Sequence, residues 1–198
     1  KQLEWKTRQV RELLLHMVGI EEEVNPTIPS PKQWGYRSKI TPHFQRPKPG
    51  EDFPIGFLEF NRRTRLVDVY NCPIAMDEIN EALQPIRDDV KRRAAEYKKG
   101  ATLLLRATEN RVETDHRAPV SEKVGDLKFN FLAGDFFQNN PFILDSFTGH
   151  AAEQAKGPNQ KYLLDAYCGS GLFGLTLAKN FEQVVGIELS ETSADWAR

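Results

Sequence analysis

The sequence predicts an α+β central domain built around an antiparallel sheet, followed by the first part of an α/β, Rossmann-like domain. Three observations predict it. Between Tyr36 and Asn130, short apolar segments and turn residues follow one another at the period of strands. Residues 76–98 interrupt them with a helical pattern. After Asp135 the order becomes helix, apolar strand, glycine turn, helix and apolar strand, the opening of a parallel sheet. Three segments are therefore expected: 1–30, an N-terminal helix and linker; 31–133, the central domain; and 134–198, the start of the Rossmann-like domain.

Leu3, Val10, Leu13, Leu14, Met17 and Val18 recur at helical spacing and Gly19 supplies a stop, so an amphipathic helix is expected over 1–19. The prolines of VNPTIPSPKQWG make 24–35 a connector. Strands are expected at 36–44, 54–60, 65–70, 101–108, 111–116 and 127–131, with Thr108-Glu109-Asn110 as a hairpin turn. Within 76–98, Pro85 is expected to open a second helix at its first turn, and Gly100 to end it. Helices are expected at 141–155, at 172–180 and from Glu191, and buried strands at 161–167 and 184–189. Parallel strands need cover on both faces. The chain opens at Lys1 without a methionine and closes at Arg198 inside a helix, so both ends are expected to be cut, with the rest of the sheet beyond Arg198.

Composition narrows the function classes. No apolar run approaches the ~20 residues of a membrane span. Cys72 and Cys168 are too few and too distant for a disulfide framework or a metal knuckle, and an intracellular, reducing compartment is expected. Net charge is −1, but residues 31–65 hold eight Lys/Arg against three acids. Such a segment either tracks a phosphate backbone or is a solvated loop surface.

Gly169-Ser170-Gly171-Leu172-Phe173-Gly174 fits G-x-G-x-x-G after a strand and before a helix, and Glu188 closes the next strand. Spacing alone leaves a nicotinamide dinucleotide and S-adenosylmethionine both open. Asp165, four residues before Gly169, distinguishes them. A carboxylate there repels a pyrophosphate and suits the cationic methionine end of S-adenosylmethionine. The alternative for Asp165 is a strand-end or helix-capping acid.

Residues 163–188, LLDAYCGSGLFGLTLAKNFEQVVGIE, closely resemble the cofactor segment of the RNA uracil-5 methyltransferases. YRSKITPHF (36–44), GF with VDVYNCPIA (56–57 and 67–75) and GDFFQNNPFI (134–143) resemble the family in the same order. The wording is most similar to the fungal and other eukaryotic tRNA enzymes that make ribothymidine in the T-loop. The resemblance implies S-adenosylmethionine as cofactor, held by Gln138, Asp165, Tyr167, Gly169, Gly171, Phe173 and Glu188. It implies RNA, most specifically tRNA, as partner, with Phe136 stacking on or walling a flipped base, Gln138 pairing with the uracil edge and Asn140 orienting the loop or touching the cofactor. Arg37 and Lys39, alternating with Tyr36 and Ser38, would give one basic strand face to phosphates, which Arg62, Arg63 and Arg65 extend.

The family's chemistry is covalent. A cysteine thiolate adds to carbon 6 of uracil, carbon 5 takes the methyl group, and a general base removes the carbon 5 proton. The family's nucleophile stretch and its glutamate base both match nothing here, so no catalytic residue is assigned within the chain and both are expected downstream of Arg198. Cys72 and Cys168 match other positions, and the cysteine cluster of iron–sulfur relatives is missing, so no metal is expected. Three alternatives stay open: rRNA as substrate, a nicotinamide-dependent oxidoreductase, and an RNA-binding module without catalysis.

Overall fold

The structure is a computed structural model that describes residues 1–48 and 50–198, and of Arg63 the backbone alone. It divides into two compact units, Lys1–Pro31 and Lys32–Arg198.

In the first unit α1 (Gln2–Leu13) runs on through a π-helical turn, Leu14–Val18, and ends at Gly19 with φ +70°. The left-handed φ favours glycine, so the expected stop is where the chain turns. No α1 residue is buried within the unit. The Thr7 hydroxyl, 2.8 Å from that of Thr27, ties the connector back along the helix.

In the second unit the expected strand 36–44 is divided into β1 (Lys39–Ile40) and β2 (His43–Phe44). Pro42 between them is fully buried and has no N–H to give, so only its carbonyl bonds across, accepting from Leu103 at 2.8 Å. β3 (Gly56–Glu59) and β4 (Arg62–Asp68) form a hairpin, and the chain crosses through α2 (Asp77–Arg92) to β5 (Ala101–Thr102), β6 (Leu105–Ala107) and β7 (Val112–Glu113). One antiparallel sheet has the order β4-β3-β2-β5 and another β1-β6-β7. The hairpin at 108–110 forms as expected, with Ala107 opposite Val112.

Two expectations are corrected here. Pro85 lies inside α2, and no second helix starts there. An interior proline costs a helix roughly 3 kcal/mol. Pro85 points to solvent, while Ile79, Leu83, Arg87 and Val90 bury the opposite face, and that burial outweighs the cost. β8 (Pro119–Val124), paired antiparallel with β9 (Leu127–Leu132), falls where no strand was expected. Its inward middle position is Glu122, opposite Phe129, which breaks the apolar alternation a strand is recognised by.

The chain then forms a 3₁₀ turn, Pro141–Ile143, α3 (Leu144–Gln154), β10 (Tyr162–Asp165), α4 (Leu172–Leu177), β11 (Gln183–Gly186) and α5 (Glu191–Trp196). β10 and β11 pair in parallel, Leu163 beside Val184 and Asp165 beside Gly186. β11 ends two residues before Glu188, so that acid sits in the following loop instead of closing the strand. One core cluster joins Val124, Phe129 and Phe131 of the β8–β9 hairpin to Phe137, Leu144 and Leu172. It crosses the expected boundary at 133/134, which lies within a single compact unit.

Candidate functional site

The first part of the site is the loop Phe136–Asn140. Its two adjacent phenylalanines separate. Phe137 is buried and stacks on Phe131, centroids 4.4 Å apart at 8°, while Phe136 is 75% exposed. Phe137 thus takes the packing role and leaves Phe136 available. The Gln138 amide, half-buried, has no hydrogen bond to another described residue. Asn140 caps the following 3₁₀ turn, its Oδ1 accepting from the Phe142 N–H at 3.2 Å. The Asn139 carbonyl accepts from the Ser38 N–H at 2.8 Å, and the Asn139 side-chain oxygen is buried without a hydrogen-bond partner among the described residues.

Two cations hold the main chain that enters this loop. Arg106 is buried between β6 and the β8–β9 hairpin, and donates from Nε to the Ala133 carbonyl at 2.7 Å and from Nη2 to that of Asp135 at 2.8 Å. Lys39 Nζ donates to the carbonyls of Gly134 at 3.3 Å and Asp135 at 2.8 Å. Burial, with the charges of Arg106 and Arg37, lowers Lys39 to about 8. Burial alone lowers Arg106, to about 10. Sequence reasoning missed Arg106. The signal was there: an arginine in the strand LLLRA at a position the strand period turns inward. The basic strand face expected at Arg37 and Lys39 is not an open one. Lys39 bonds inward, and Arg37 Nε bonds the Lys39 carbonyl at 2.9 Å.

The second part is the bend after β10. Gly169 (φ +53°) and Gly171 (φ +84°) adopt backbone conformations that side chains resist. A Cβ on Gly171 would lie 2.8 Å from Leu175 Cδ1, and one on Gly186 2.8 Å from Cys168 Sγ. Both acids brace this bend. Asp165 Oδ2 accepts from the Gly174 N–H at 2.9 Å, a cap on the first turn of α4. Glu188 Oε2 accepts from the Gly169 N–H at 2.9 Å and Oε1 from the Ser190 N–H at 2.8 Å. The Ser190 and Gly169 amides hold the Glu188 carboxyl below its ordinary range, so it stays ionised. Asp165 therefore does fill the capping alternative, through one oxygen only.

Leu172 begins α4 and shares a core cluster with Phe137. One apolar core thus holds both the start of the helix after the bend and the loop of Phe136 and Gln138. A model of the family described as tRNA (Uracil-5-)-methyltransferase matches residues 50–198. The chain belongs to this family.

Among its relatives, the tRNA (uracil(54)-C(5))-methyltransferase of Schizosaccharomyces pombe is 45% identical, over 100% of this chain and 41% of that protein. The enzyme of the same name from Saccharomyces cerevisiae is 31% identical, over 86% of this chain and 37% of its own length. The chain thus spans about two fifths of these relatives. A crystal structure of Pyrococcus abyssi tRNA (uracil-54, C5)-methyltransferase in complex with S-adenosyl-L-homocysteine superposes with a TM-score of 0.69 at 20% identity, covering 99% of this chain and 59% of that one, and shares its fold.

The remaining expected positions divide. Tyr167 is 94% exposed beside the bend. Phe173 turns away, packed edge-on against Phe147 with centroids 5.0 Å apart. Cys168 is unsuited to attack, because burial and the nearby Asp165 and Glu188 charges push its thiol up. Cys72 packs against the α2 core.

Proposed function

We propose that this chain is the cofactor- and RNA-holding part of an S-adenosylmethionine-dependent methyltransferase acting on carbon 5 of a uridine in RNA, the T-loop uridine of tRNA. The observation that carries this reading is the bend between Asp165 and Glu188. Its two left-handed glycines bring main chain to the surface, a Cβ on Gly169 would meet nothing within 4 Å, and an ionised carboxylate stands on the neighbouring loop. These residues fit the cofactor. Glu188 keeps lone pairs for two ribose hydroxyls, and Asp165 Oδ1, with no hydrogen bond to a described residue, faces a cationic ligand end.

When bound, S-adenosylmethionine supplies the methyl group. The chain's own residues prepare the acceptor. Gln138 offers an acceptor to the uracil N–H and a donor to its carbonyl, and exposed Phe136 walls the extruded base. Arg106 and Lys39 fix the main chain from which that loop springs. No residue of this chain takes the part of attacking cysteine or general base in this reading. Tyr162, Leu164, Val185 and Ile187 leave one face of β10–β11 apolar and exposed.

Equilibrium binding of the intact protein to S-adenosylmethionine and to NADH tests the cofactor. Tighter binding of NADH overturns the reading. Methyl transfer to an unmodified tRNA transcript and to an rRNA transcript then tests the substrate, and transfer to rRNA alone overturns the tRNA assignment.

A further inference from the structure

The hairpin tip between β3 and β4 carries a feature that the loop and the bend do not use. Glu59 pairs with Arg62 across a two-residue turn, Phe60-Asn61, and Asn61 holds φ +60°, the one positive φ outside glycine among the described residues. Phe60 is 89% exposed and belongs to none of the three core clusters. A turn is where polar residues serve, so packing gives no account of a phenylalanine there.

Arginines surround it. Leu58 pairs with Leu66 and the next residue, Glu59, with Arg62, so 63–65 bulge out of the ladder. The Thr64 carbonyl, within the bulge, accepts from Gln45 Nε2 at 2.9 Å, which fixes it against the chain beyond β2. Glu59 Oε2 lies 3.8 Å from Arg62 Nε and 3.5 Å from Arg65 Nε. One carboxylate thus steadies two guanidinium groups, both well exposed and neither hydrogen-bonded to a described residue. The expected contribution of Arg63 concerns a side chain outside the described residues.

We infer that this tip is an RNA contact: Phe60 stacks on an unpaired base while Arg62 and Arg65 engage the phosphates beside it. An exposed ring stacks on any base face, and guanidinium groups favour phosphate geometrically and electrostatically. A protein partner would be served by the ring alone. Two exposed arginines against one part-buried acid select a polyanion. The inference rests on the RNA reading above and adds a surface that grips an unpaired nucleotide.

The test uses the intact protein with two probes, an unmodified tRNA transcript and a fully paired RNA duplex. Phe60→Ala weakens binding to the transcript about tenfold and leaves duplex binding unchanged, because only an unpaired base can stack. Phe60→Trp restores it. Arg62→Ala with Arg65→Ala weakens both probes and lowers the salt slope by roughly 0.7 to 0.9 for each phosphate no longer neutralised. Transcript binding unchanged in Phe60→Ala overturns the inference alone. So does self-association of the wild type that Phe60→Ala abolishes, which makes the ring a protein contact. A wild-type protein that binds neither RNA overturns the RNA reading with it.

Discussion

The loop of Phe136–Asn140 and the bend of Asp165–Glu188 are both pieces of irregular main chain held rigid by charged side chains, but with opposite signs. In the loop, cations bind carbonyls: the buried Arg106 and the half-buried Lys39 hold Ala133, Gly134 and Asp135. In the bend, carboxylates bind amides: Asp165 holds Gly174, and Glu188 holds Gly169 and Ser190. The loop leaves the β8–β9 hairpin through the buried Ala133, and desolvation makes the partner of its carbonyl costly and hard to replace. The bend opens a helix, whose first N–H groups lack intrahelical partners, and acids at the surface meet that need cheaply. The two should therefore fail differently.

The largest effect is expected at the buried cation. Arg106→Met removes two hydrogen bonds and leaves the buried Ala133 carbonyl unpaired, while that of Asp135 keeps Lys39, a loss of about 2 kcal/mol in urea unfolding. A loss below ~1 kcal/mol would mean that water or Lys39 takes over, and the contrast with the bend would collapse.

Gly171→Ala comes next. A side chain at φ +84° costs roughly 1–2 kcal/mol, with an added push against Leu175. Cofactor affinity, measured by calorimetry, should fall with it.

Asp165 sharpens the comparison, because its cap and its charge separate chemically. Asparagine caps a helix as well as aspartate does, so Asp165→Asn should keep stability within ~0.5 kcal/mol while weakening S-adenosylmethionine about tenfold. Asp165→Ala should lose both, with about 1 kcal/mol of stability. Equal affinity for wild type and Asp165→Asn reduces Asp165 to a cap.

The smallest effects are in pH, and both raise stability as pH rises, in separate windows. Lys39 titrates near 8 when folded, below its ordinary 10.5, so the unfolded chain binds the extra proton between those values. Wild type should gain stability relative to Lys39→Met as pH rises from 8 to 10.5. The Glu188 carboxyl is held low by its amides, so its contribution is present above its ordinary value and lost as pH falls through the folded one. The difference between wild type and Glu188→Gln should shrink in acid. A variant whose pH curve runs parallel to that of wild type across its own window, alkaline for Lys39→Met and acidic for Glu188→Gln, would show that the fold does not shift that group.

The sequence made the bend easy to read and the brace of the loop hard. Gly169, Gly171 and Glu188 lie 19 residues apart at most, and a glycine that must take positive φ announces itself. The loop's holders, Lys39 and Arg106, are 95 and 27 residues from the carbonyls they bind at Gly134 and Ala133. No local pattern links them. The same distance hid β8, whose inward Glu122 looks polar until the hairpin and Arg106 surround it, and α2, where Pro85 reads as a helix start until the buried opposite face is known.

What the sequence determined alone was everything set by backbone geometry within a few residues: the stop at Gly19, the hairpin at 108–110, the strand–bend–helix order and the acids beside it. Only the tertiary structure decided which of two adjacent phenylalanines is buried, which cations face inward, and that one core holds both Phe137 and Leu172. The reason is physical. Turn chemistry is a property of φ and ψ, whereas burial and desolvation exist only once distant segments have excluded water from between them.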